Sequence, residues 1–133
     1  MNYLFDTNVI LRFLLDDIPS QAQQTQTLLK SIESGKDRAT LPLLTFVELD
    51  FALRKFYTFP KKDTLEKLHA IARLPGIEIE QHAVVTSSLL YYELYTIDYI
   101  DAIFLAQAVI HKQTLVTFDK KLAKLAKSLT KEV

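Results

Sequence analysis

Apolar positions along the chain switch between two spacings, short unbroken runs and helical repeats, and this switching predicts an α/β protein. Residues 2–5 (Asn2, Tyr3, Leu4 and Phe5) read as a short strand ending at Asp6. Asp6, Thr7 and Asn8 all favour a helix start, and Val9, Ile10, Phe13 and Leu14 then recur at helical spacing. Pro19 and Ser20 open a second helix reaching about Gly35, with Leu28, Leu29 and Ile32 as its apolar stripe. Ala39 to Leu41 make a second strand. Apolar residues 44, 47 and 51 mark a helix from Leu44 to Phe56, ended near Pro60, and another spans about Asp63 to Leu74, stopped by Pro75 and Gly76.

Ile77 and Ile79 alternate with Glu78 and Glu80, the period of an edge strand. Residues 83–95 and 99–111 are helical, 114–118 form a further strand, and a helix follows from Asp119 to about Lys127. For the tail, residues 128–133, the pattern leaves open whether a short strand follows. Strands separated by helical crossovers imply a parallel sheet, and such sheets bind ligands beyond the carboxyl ends of their strands.

Four acidic residues matter if that topology brings them together. Asp6, Glu48, Asp101 and Asp119 each fall near a helix start, within the words NYLFDTNVILRFLL, TFVELDFALRKF, DYIDAIFLAQA and LVTFDKKLAKLA. Glu48 shares a stripe with Leu44 and Phe51 and is expected to face inward or along the edge of the core, not out to solvent; Asp101 shares an apolar stripe with Leu105 and Ala108. An acid on an apolar stripe needs a partner, because burying a lone carboxylate is costly. Each acid also has an ordinary reading. Asp98 and Asp119 suit helix capping, and Asp98 with Asp101 resembles a capping box. Capping does not require all four acids to meet at one edge of a sheet; a metal site does. A carboxylate set selects Mg²⁺ or Mn²⁺ over zinc, and two such ions suit phosphodiester hydrolysis.

Composition narrows the classes further. The 133 residues are expected to form one domain, 1–133, and their 49% hydrophobic content provides a core. There are no cysteines, which excludes disulfides and thiol chemistry, and two glycines cannot build a glycine-rich phosphate loop. No apolar run is long enough to span a membrane, so a soluble, cytoplasmic protein is expected. Sixteen basic residues balance sixteen acidic ones, so no global basic excess advertises nucleic acid. Local basic clusters remain at Arg54 and Lys55, at Lys61 and Lys62, and from Lys120 to Lys127. His69, His82 and His111 share no metal-binding spacing, and Tyr91, Tyr92, Tyr95 and Tyr99 read as amphipathic packing.

With these four words in order, the chain resembles the PIN-domain nucleases nearly end to end, and looks most like the VapC-type toxins of toxin–antitoxin modules. The resemblance implies a three-layer α/β/α sandwich with a short parallel sheet of four to five strands. It implies an Mg²⁺- or Mn²⁺-dependent endoribonuclease that hydrolyses RNA with a metal-activated water. Asp6, Glu48, Asp101 and Asp119 match the family's four acids, with Asn8, Thr117 and Asp98 in support. A homodimer and a small inhibitory antitoxin are implied as well. The competing expectations are an RNA-processing nuclease without antitoxin and a non-catalytic PIN-like binding module. An aspartyl-phosphate protein fits less well: a phosphatase wants a second Asp where Asn8 stands, and the acid pair and lysine of a receiver domain are missing.

Overall fold

The computed structural model describes residues 1–130. Strands β1 (Asn2–Leu4), β2 (Arg38–Leu41) and β3 (Ile77–Ile79) form a parallel sheet in the order β1-β2-β3. Tyr3 lies opposite Ala39, and Thr40 opposite Glu78. Parallel neighbours cannot be joined by a tight turn, so each pair needs a crossover. Helices α1 (Thr7–Leu15) and α2 (Pro19–Glu33) supply the first. The second consists of α3 (Leu43–Phe51), a π-helical segment (Ala52–Phe56) and α4 (Lys61–Ala72).

Local chemistry sets these boundaries. Asp16 ends α1 in the left-handed region at φ 49°, its N–H bonding the Arg12 carbonyl at 2.9 Å. Pro19 then opens α2, where its missing N–H costs nothing. The central strand β2 buries Ala39 and Leu41, while β3 lies at an edge with Glu78 turned outward, as its alternation predicts. Ile10, Ile32, Leu41, Phe46, Leu49, Leu53, Leu68 and Ile71 form the core here, each no more than 2% exposed. Together these elements make a first compact unit, Met1–Gln81.

A second compact unit begins at His82 and contains α5 (His82–Leu94), α6 (Tyr99–Ile110) and α7 (Lys120–Thr130). Tyr92 and Tyr99 are buried with ring centroids 5.1 Å apart, and the Ser88 hydroxyl meets the Tyr99 hydroxyl at 2.9 Å. The packing role expected for this tyrosine group holds for both. Helix α7 buries Leu122 and Ala126 and leaves Lys120, Lys121, Lys124 and Lys127 exposed. No helix among the described residues is long and apolar enough to cross a membrane.

Two expectations are corrected. The sheet of the described residues has three strands, not four to five, because residues 114–118 form none. That run does alternate, Leu115 and Thr117 half-buried between exposed Val116 and Phe118, but alternation becomes a strand only with a hydrogen-bonded neighbour. In the tail, residues 128–130 complete α7, and the rest lies outside the described residues. Finally, the stripe of Leu44, Glu48 and Phe51 faces outward, with Leu44 62% and Phe51 65% exposed. Helix α3 is apolar on both sides, and it buries Thr45, Phe46 and Leu49 instead.

Candidate active site

In the first unit, β1 delivers Asp6 to the carboxyl end of the sheet, where it becomes the N-cap of α1. The Asp6 carbonyl accepts the N–H of Val9 at 3.0 Å, but its carboxylate makes no capping hydrogen bond. Capping therefore does not account for this acid. Glu48 projects from α3, and the Thr7 hydroxyl donates to its Oε1 at 2.7 Å. Thr7, the residue after Asp6, thus holds the Glu48 carboxylate across 41 positions of sequence. Thr7 is the supporting group that reading the sequence missed; its only signal was a hydroxyl inside the Asp-Thr-Asn word. Exposed Asn8 joins Asp6, Tyr3, Phe5 and Arg12 in lining a cavity of about 670 Å³.

In the second unit, Asp98 occupies the N-cap position of α6 and Asp101 its first turn. The Asp98 side chain makes no cap hydrogen bond, so the expected capping box does not form. Asp119, by contrast, caps α7: its Oδ1 accepts the Leu122 N–H at 3.0 Å, and its own N–H donates to the Thr117 hydroxyl at 3.1 Å. It does so from an irregular segment and not from the strand end expected of it. Asp101 lies half-buried on the side of α6 that buries Leu105 and Ala108, as its stripe predicts. Burial raises its pKa above the ordinary carboxylate value, and the like charges of Asp98 and Asp119 raise it further.

Like charges held against one another suit a bound cation, and an all-oxygen donor set suits Mg²⁺ or Mn²⁺. Among the described residues, no three His, Asp or Glu side chains are drawn together closely enough to enclose an ion by themselves. Mg²⁺ does not ask for such a cage, since it keeps several waters and binds through one or two carboxylates plus substrate phosphate. The donor chemistry therefore fits. The three histidines play no part in either group, with His82 and His111 exposed.

Comparison with families of known domains matches the chain to the PIN domain over residues 3–128. Comparison with curated proteins and with solved structures gives no match. The matched stretch contains all four acids and runs through both compact units. The chain belongs to the PIN domain family, an α/β family whose members are generally metal-dependent nucleases.

Proposed function

We propose that this PIN domain is an Mg²⁺- or Mn²⁺-dependent endoribonuclease, with Asp6, Glu48, Asp101 and Asp119 as its metal-holding carboxylates. Asp6 would be the central ligand, Glu48 and Asp101 would complete the protein ligands of a first ion, and Asp119 would serve a second ion directly or through water. Asn8, Thr117 and Asp98 support them. Both units contribute to a single domain in this reading. The observation that supports it is half-buried Asp101 in the first turn of α6, within reach of the like charges of Asp98 and Asp119. A fold that sustains such repulsion gains from it when a divalent cation binds.

A bound divalent ion would supply Lewis acidity toward the phosphate oxygens and toward an attacking water. The chain's own residues supply position. Thr7 fixes the rotamer of Glu48, so that the carboxylate is preordered before RNA arrives. The Leu122 N–H, bonded to Oδ1, and Thr117, bonded to the Asp119 N–H, do the same for Asp119.

The likeness of the four acidic words to VapC-type toxins supports a biological role as well. In that role the protein is the toxin of a toxin–antitoxin module, a cytoplasmic homodimer restrained by a small antitoxin.

The test is cleavage of total cellular RNA by purified protein with Mg²⁺ or Mn²⁺, beside EDTA and an Asp6→Asn variant. Discrete fragments are expected, lost in EDTA and slowed by on the order of a hundredfold or more in the variant. The exposed carboxylate of Asp6 makes a stability change beyond about 0.5 kcal/mol unexpected. Full activity of Asp6→Asn would overturn the assignment.

A further inference from the structure

The π-helical segment Ala52–Phe56 follows α3 without a break. The Tyr57 N–H donates to the Ala52 carbonyl, five residues back, at 3.0 Å. A turn closed over five residues brings residue i+5 round toward residue i, where an α-helix would bring i+4. Phe56 is thereby carried toward the face that holds Phe51, with Lys55 alongside. Exposure follows this winding: Leu53 is fully buried, while Phe51 is 65% and Phe56 78% exposed. Lys55 is exposed too. Two phenylalanine rings in water one turn apart add nothing to the core.

Phe56 is exposed but braced. The Tyr57 ring meets it edge to face, centroids 5.1 Å apart and planes at 67°. The Tyr57 hydroxyl accepts a hydrogen bond from Arg12 Nη2 at 2.6 Å, and the Arg12 guanidinium lies 6.0 Å from the centroid of the same ring. Arg12 Nη1 donates in turn to the Asp17 carboxylate. Thr58 follows at φ 56°, a left-handed conformation unusual for a β-branched residue, and turns the chain away. A ring fixed in advance loses little freedom when a flat partner stacks on it.

We propose that Phe56, with Phe51 and Lys55, is a stacking platform for the bases of single-stranded RNA. The proposal rests on the ribonuclease reading and names the form of substrate that the site takes. Charge decides between RNA and a protein partner. The desolvated centre of a protein interface is poor in lysine, whereas a single-strand groove pairs aromatic faces with cations along the backbone. Lys55 and Lys62 are exposed in this stretch, and half-buried Arg54 lies between the rings in sequence. Glu48 lies eight positions before Phe56 on the same continuous helix. At the helical rise that is roughly 12 Å, within reach of one short strand.

The chain contains no tryptophan, so Phe56→Trp places a single indole on the platform. The probe is a mixed-sequence single-stranded oligoribonucleotide of about a dozen nucleotides, titrated into full-length protein in EDTA so that nothing is cut. Quenching of the indole is expected, with affinity at least that of the unmodified protein by anisotropy of the labelled strand. Phe56→Ala is expected to weaken binding about tenfold. A blunt duplex of the same sequence, its bases stacked inside, should neither quench the indole nor respond to Phe56→Ala.

Binding that leaves the indole unquenched, or equal affinity for Phe56→Ala and the unmodified protein, would overturn the platform. So would a Phe56→Ala protein that loses only self-association. None of these results touches the nuclease reading, which stands or falls on the Asp6-dependent cleavage. Conversely, Phe56-dependent binding by a protein that cuts nothing would uphold the platform and remove the nuclease.

Discussion

Asp101 is the residue at which the proposed metal-holding role and stability pull in opposite directions. Its folded-state pKa is raised by burial and by Asp98 and Asp119. An acid whose pKa rises on folding contributes stability only while protonated, and loses it as pH climbs through the raised value. At neutral pH its carboxylate therefore opposes the fold. Asp101→Asn should stabilise the metal-free protein by about 0.5 kcal/mol, or roughly 2 °C in Tm. Thermal melts in EDTA check this, and the gain should shrink as pH falls into the carboxylate range, where the unmodified residue takes up its proton. Added Mg²⁺ should raise Tm in the unmodified protein by mass action and much less in the variant. A variant that melts lower than the unmodified protein at neutral pH would mean that Asp101 is compensated by something other than a cation.

At the scale of elements, the crossover from α4 to β3 turns on Gly76. It sits at φ 78°, and a Cβ there would stand 2.7 Å from the Ile32 carbonyl oxygen at the end of α2. Gly76→Ala should combine the left-handed penalty with a backbone clash and cost about 3 kcal/mol. A chemical denaturation midpoint measures it; a loss under about 0.5 kcal/mol would mean that the end of α2 backs away freely. The glycine was legible as a stop signal, and so were the seven α-helices of the described residues, because apolar spacing and Pro or Gly boundaries report what each segment does alone. What failed to show depends on partners. Residues 114–118 alternate like a strand yet pair with none among the described residues. Helix α3 is apolar on two sides, and spacing alone could not say that Phe46 would go in and Phe51 out. The π turn after it leaves no pattern at all. The site divides in the same way: the Asp-Thr-Asn word was visible, but that Thr7 would hold a carboxylate 41 residues away was not.

Over the whole molecule, sixteen cations offset sixteen anions, so nothing in the net charge draws RNA in from a distance. In the proposed reading, binding would come instead from local groups: cations near Phe56, aromatic faces, and a metal ion at the acids. These contributions separate under salt. Each cation that neutralises a phosphate of a single strand adds about −0.7 to the slope of log K against log salt, whereas stacking adds nothing. With contacts limited to exposed Lys55 and Lys62, the slope in EDTA should be about −1.4, shallow for a nucleic-acid-binding protein. Lys55→Ala should flatten it by about 0.7. Phe56→Ala should lower the affinity at every salt concentration and leave the slope where it was. Anisotropy titrations across a salt series distinguish the two variants directly. A steep slope in the unmodified protein, untouched by Lys55→Ala, would move the RNA contact away from the π turn to another basic surface, such as the exposed lysines of α7.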